Sequence, residues 1–323
     1  MRRRALLATA ALAPCLTPGA AQAEAWPART LTILVGFAPG GGTDIIARLL
    51  APALQAELGQ PVAVENRPGA SGTIAALAGI RAAPDGYTLY MSTVSASAVV
   101  PPLMKPPPFD IYRDQLPVVL AATVPLVAVV PKDAPSQTIQ QVLQRARENP
   151  GKLNYSSSGV ATQQHLAAEL LCAEARVQMT HVPFRGTGQA VNEILAGRID
   201  LALDTLPTYL PHIRAGGVRA LAVTMPSRVE WLPDVPTIAE SGFPGFDSNV
   251  WYMLMAPQGL PAPIAGRLAA AVDMALRDPT LGPRVQQAGF IRGGGGPADA
   301  AALLRRDAER YAALIRAAGV TLE

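Results

Sequence analysis

The residues of this 323-residue chain best suited to chemistry are Gly40, Gly41, Gly42 and Thr43, in the stretch Ala38-Pro39-Gly40-Gly41-Gly42-Thr43-Asp44. An apolar run, Leu31 to Phe37, precedes them and reads as a buried strand. Ile45, Ile46, Leu49, Leu50, Ala53 and Leu54 follow at the spacing of one helix face. A glycine turn between strand and helix lets a ligand approach the backbone closely. The helix start behind it offers N–H groups without partners and the positive end of a dipole, which together make an anion site. Thr43 or Asp44 could cap that helix. A dinucleotide fingerprint would need Gly in place of Ile45, and a Walker loop would end in Gly-Lys-Ser/Thr. No Lys or Arg occurs between Arg29 and Arg48. An anion here would be held by backbone and hydroxyl dipoles rather than by a cation, which favours a carboxylate over a polyphosphate. The plain alternative is an ordinary tight turn.

A second group has the same character. Ser157, Ser158, Gly159 and Thr162 sit between a predicted strand and a predicted helix, although Thr162 alone could be no more than a cap. Asp204 ends the apolar run Leu201-Ala202-Leu203. It either caps the next helix or receives a donor; if ionised in the site, it would repel an adjacent carboxylate unless water or a donor intervened. His165 and Glu169 are four apart on one helix, too few ligands for a metal, and His181 reads as a buried polar anchor in a strand. Phe184, Trp251 and Tyr252 could line a pocket. Gly-x-Ser-x-Gly and His-Glu-x-x-His are both absent, and neither cysteine has a suggestive His partner. No catalytic residue, metal or cofactor is expected.

The elements around these groups come next. Arg2, Arg3 and Arg4, the apolar run Ala5–Ala13 and Ala21-Gln22-Ala23 form a secretory signal over residues 1–23, which implies export to the periplasm. Pro14 beside Cys15 argues against lipid attachment. Without this segment Lys plus Arg falls from 27 to 24, equal to Asp plus Glu at 24, so nothing suggests nucleic acid as a partner. Cys172 then has no cysteine to pair with and reads as a small buried apolar residue.

Strand-like runs alternate with helical patterns in two series. The first is Leu31–Phe37, a helix from Thr43 that Pro52 should kink or split, a strand at Pro61–Asn66, a helix at Thr73–Ala82 and a strand at Tyr87–Ser92. This βαβαβ order implies a parallel sheet covered by helices. Pro101 to Pro108, with five prolines in eight residues, reads as an extended loop. Val118–Val130 is long enough to cross between domains, and a second α/β series runs from there to Thr224. Trp251–Ala256 returns to the first domain, and helices dominate to the end, with Gly293–Gly296 as a flexible connection. The expectation is an α/β protein of two lobes, each a mainly parallel sheet flanked by helices. Residues 24–124 plus 249–323 form lobe 1 and residues 125–248 form lobe 2. Ligands of such sheets sit where strands end and helices begin.

Several motifs occur in series: Trp26-Pro27-Ala28-Arg29, Phe37 to Asp44, Val64-Glu65-Asn66-Arg67-Pro68-Gly69-Ala70, Pro84-Asp85-Gly86-Tyr87-Thr88-Leu89, His181-Val182-Pro183-Phe184-Arg185-Gly186 and Pro233-Asp234-Val235-Pro236-Thr237. From Trp26 onward the chain resembles the Bug family, the extracytoplasmic solute receptors of tripartite tricarboxylate transporters. The resemblance implies a periplasmic binding protein of the type II Venus-flytrap fold, acting as a monomer. It would capture a small carboxylate by closing two lobes and deliver it to membrane permease subunits. It also implies that Gly40–Thr43 face Ser157–Thr162, the segment His181–Gly188 (with Phe184 and Gly186) and Asp204 across the pocket. The family pattern Ser-x-Gly-x-Gly-Thr-x-x-His reads here Ser157-Ser158-Gly159-Val160-Ala161-Thr162-Gln163-Gln164-His165. Ala161 replaces a glycine, Val160 stands where a polar residue is common, and Phe184 where Tyr is common. These departures suggest a more apolar ligand end, aromatic or branched. The alternatives are a sensor for a signalling partner and an enzyme acting on a carboxylate.

Overall fold

The computed structural model describes residues 26–318, so the expected signal segment and Cys15 lie outside the described residues. The first series folds as β1 (Leu31–Val35), α1 (Gly42–Leu58), β2 (Val62–Asn66), α2 (Thr73–Ile80) and β3 (Thr88–Thr93). β1 pairs in parallel with β2 on one side and β3 on the other, giving the order β2-β1-β3. Ile46, Leu50 and Leu54 bury one face of α1 against this sheet. The helix runs unbroken through Pro52, so the expected split does not occur. Pro52 is exposed, so water can satisfy the carbonyl its missing N–H leaves free, while the buried stripe on the other face keeps the helix continuous.

The proline-rich stretch also differs from expectation. After one π-helical turn, Ser95–Val99, comes the short helix α3 (Val100–Leu103). Pro101 and Pro102 occupy its first turn, where an absent N–H costs nothing. Only the following residues are extended loop.

β4 (Gln115–Pro131) is the structural hub. It pairs antiparallel with β9 (Asn249–Pro257) from Gln115 opposite Pro257 to Pro125 opposite Asn249. From Leu126 it pairs instead with β7 (Leu201–Thr205), and from Val127 also with β8 (Val218–Val223). One strand therefore belongs to two sheets and changes partners at Pro125 and Leu126. The second sheet holds β5 (Asn154–Ser157) in parallel with β6 (Thr180–Pro183) and β7. Helices α4 (Ile139–Glu148), α5 (Gln163–Ala175), α6 (Thr187–Leu195) and α7 (Leu206–Arg214) alternate with its strands. Each lobe thus keeps a parallel three-stranded set, and β4, β8 and β9 join antiparallel.

The chain closes with α8 (Ala262–Arg277), α9 (Leu281–Gln287), β10 (Ile291–Gly294) and α10 (Pro297–Ala318). The glycines at 293–296 are not the expected flexible connection: β10 pairs with β4, and a Cβ on Gly293 would overlap the Leu120 carbonyl oxygen. Glycine there permits close strand approach. Cys172 is buried, and desolvation pushes its thiol up to about 12, the inert structural role expected.

Candidate functional site

The parallel order of each sheet brings the starts of α1, α5 and α6 to one cleft. The α1 start follows a turn in which Gly40 has φ +83° and Gly41 is the N-cap. Neither Thr43 nor Asp44 caps the helix in the usual way. The Asp44 carboxylate instead accepts the Gly40 N–H at 3.1 Å, Arg48 Nε at 2.9 Å and Asn66 Nδ2 at 2.9 Å. Burial opposes its ionisation, but these donors outweigh that and hold it below the ordinary carboxylate range. The acid that could have repelled an anion is thus neutralised behind the turn.

Between the helix starts lies a cavity of about 20 Å³, room for a water. The first lobe lines it with Gly41, Gly42, Thr43, Thr93, Ser95 and Tyr252, and the second with Ser158, Gln164, Thr187 and Thr205. No charged side chain lines it among the described residues. A larger cavity of about 340 Å³ adjoins it, sharing Phe37 and Ser158. Gly159 and Phe184 line that second space.

The two jaws touch. The Ala38 N–H donates to the Arg185 carbonyl at 3.0 Å, the Ser71 hydroxyl to the Val160 carbonyl at 2.6 Å, and the Gln163 N–H to Ser95 Oγ at 3.0 Å. A Cβ on Gly188 would overlap the Pro39 carbonyl oxygen, and one on Gly186 (φ +144°) would lie 2.9 Å from the Ala38 nitrogen. Glycine on both sides is what allows backbone to meet backbone here.

The remaining expected site residues lie behind the cleft. Ser157 is buried, with its hydroxyl 2.6 Å from His181 Nε2. Thr162 donates to the Gly159 carbonyl at 2.7 Å and makes no side-chain cap. Ala161 holds φ +57°, a left-handed conformation that glycine adopts more readily, and its N–H donates to His165 Nδ1 at 3.0 Å. Asp204 is fully buried; one oxygen accepts from Thr205 N at 2.7 Å, Thr187 Oγ1 at 2.8 Å and Gln164 Nε2 at 3.0 Å. The other has no protein partner among the described residues. Burial pushes this carboxyl up to about 6 against the pull of those donors. Asp204 therefore orients three residues that line the cavity and does not line it itself.

His165 and His181 stack with ring centroids 4.0 Å apart, and Tyr155 stacks on His181 at 5.0 Å. Burial, and then the neighbouring imidazole, bring His181 down to about 4; burial also lowers His165. Glu169 lies 3.9 Å from His165 Nε2. Among the described residues no cluster of three or more His, Cys, Asp or Glu could hold a metal.

Thr187 falls within the expected segment His181–Gly188, whereas Thr93, Ser95, Gln164 and Thr205 were not singled out by sequence reasoning. Thr93 and Ser95 sit at and just beyond the carboxyl end of β3, where the strand-end rule could have found them. Tyr252 lines the cavity, whereas Trp251 is buried and donates to Asp307 at 2.9 Å.

Comparison with known proteins fits this geometry. The family model TctC, Tripartite tricarboxylate transporter family receptor, matches residues 46–320. The chain is 42% identical to the "UPF0065 protein in tcbD-tcbE intergenic region" of Pseudomonas sp. (strain P51), over 97% of this chain and 94% of that protein. The structure of R. palustris Rpa4515 with adipate superposes with TM-score 0.89 at 33% identity, covering 92% of this chain and 99% of that one. The periplasmic binding protein BugD superposes with TM-score 0.87 at 32% identity, covering 92% and 99%. No described helix is long and apolar enough to cross a membrane. The chain has the two-lobed periplasmic-binding-protein fold and belongs to the tripartite tricarboxylate transporter receptor family, whose members are substrate-binding receptors rather than enzymes.

Proposed function

We propose that this receptor captures a small carboxylate between its lobes in the periplasm and delivers it to the membrane subunits of a tripartite transporter. The observation that carries the reading is the convergence of three helix starts on a cleft lined by uncharged donors. Such dipoles favour an anion without a fixed cation, and they suit a carboxylate. Asp44 and Asp204 are turned to internal partners and do not line the cleft, so neither presents its charge there.

The lobes, residues 24–124 plus 249–323 and residues 125–248, move about the paired residues Pro125 and Asn249. Contacts from the ligand to both jaws favour the closed state because the open state offers only one of them. A ligand that binds only the folded protein raises its thermal midpoint by mass action. Adipate, malate, citrate and 3-phenylpropionate, each titrated against the purified protein, should include at least one that raises the midpoint in proportion to the logarithm of its concentration. No shift from any of them overturns the reading.

A further inference from the structure

We infer that the ligand is a monocarboxylate with an apolar tail, its carboxylate at the junction of the two cavities and its hydrocarbon in the larger one; this rests on the carboxylate reading above. The larger cavity, about 340 Å³, falls at the lower end of small-molecule sites, which run from about 300 to 1,000 Å³. Phe37, Val100 and Met104 from the first lobe and Val160, Pro183 and Phe184 from the second supply its apolar wall. Ser71, which also lines it, already donates its hydroxyl to the Val160 carbonyl. Ser158 and Phe37 stand where the two cavities meet, one polar and one aromatic. A single molecule spanning the junction would present its oxygens to the helix starts and its carbon skeleton to this wall.

Arg185 is the one charged residue of that lining among the described residues, and it is exposed. A dicarboxylate could bind only by sending its second charge past the apolar wall to this rim. Buried polar groups without partners cost more than buried methylenes gain, so the wall selects against a second carboxylate.

Calorimetry separates the possibilities with four probes: 3-phenylpropionate, 4-methylpentanoate, adipate and malate. Either apolar monocarboxylate should bind at least about tenfold more tightly than adipate or malate, the scale on which an apolar pocket discriminates. Val160→Asp should remove that preference while the apo thermal midpoint stays within a few degrees. Tighter binding of adipate or malate overturns the inference and leaves the carboxylate reading standing. Equal binding of 3-phenylpropanol, which lacks the carboxylate, overturns the carboxylate reading and with it the inference. Retention of the apolar preference in Val160→Asp, checked alongside Phe184→Ser, would also overturn the inference.

Discussion

The jaw of the first lobe is a run of glycines fixed from behind by charge: Asp44 gathers Gly40, Arg48 and Asn66 around one carboxylate. The jaw of the second lobe is a run of serine, glycine and alanine fixed from behind by stacked imidazoles, one half-buried and one buried: Ser157 meets His181, and Ala161 meets His165. Both present a helix start with free donors. A charged network close to the surface is stiff only while its carboxylate is ionised. The imidazole stack instead cannot carry a charge on both rings, since two charges 4.0 Å apart would repel. The first jaw should therefore hold until the pH falls below the ordinary carboxylate range and Asp44 protonates, and the second until its histidines do.

The largest expected effect comes from breaking the contact between the jaws. Gly188→Ala places a Cβ on the Pro39 carbonyl oxygen across the contact between the jaws. Overpacking against backbone of this kind costs about 2–3 kcal/mol, so ligand affinity should fall about 30- to 150-fold by calorimetry. The apo protein, free to open, should keep its thermal midpoint or gain slightly from alanine's better helix propensity.

Next in size is the charged anchor. Asp44→Asn weakens hydrogen bonds to a charged, buried acceptor and should cost about 2 kcal/mol of stability by urea denaturation. The same variant should weaken ligand binding, because the glycine turn loses its brace.

Acidification compares the groups behind the second jaw. The Asp204 carboxyl, raised to about 6 by burial, favours the folded state when protonated. Its contribution is fully present below the ordinary aspartate value and is lost as pH rises through about 6. His181, brought down to about 4 by burial and His165, contributes above the ordinary histidine value, and that contribution is lost as pH falls toward about 4. The two oppose each other between these values. Asp204→Asn removes the gain, so its stability should fall more steeply than wild type from pH 6 to pH 4, by about 1–3 kcal/mol in urea titrations.

The smallest effect tests local strain in the second jaw. Ala161→Gly relieves a left-handed alanine but adds freedom to the unfolded chain. A net gain of about 0.5 kcal/mol in denaturation is expected.

Much of this was legible because it is local. Gly40–Gly42, Ser158 and Gly159 announce strand-to-helix turns through residue type alone, and the apolar spacing around them fixes the elements. What stayed hidden depends on distant partners. Asp44 looked like a cap until Asn66 and Arg48 were seen to share it. Met104 sits in the stretch Pro101–Pro108, and Val100 just before it; the prolines made that stretch look like plain loop, although Pro101 and Pro102 only start a helical turn. Pro52 passed through a helix because one face is buried and the other wet. The exchange of β4 from β9 to β7 and β8 is a matter of pairing between strands far apart in sequence, which periodicity does not encode.

The central claim is capture by closure of these two jaws, and small-angle X-ray scattering tests it most directly. Wild-type protein should contract measurably when saturated with the carboxylate that raises its thermal midpoint, while Gly188→Ala at the same ligand concentration should keep the larger, apo dimension. Binding without contraction of the wild type, or equal contraction of both proteins, would contradict the account.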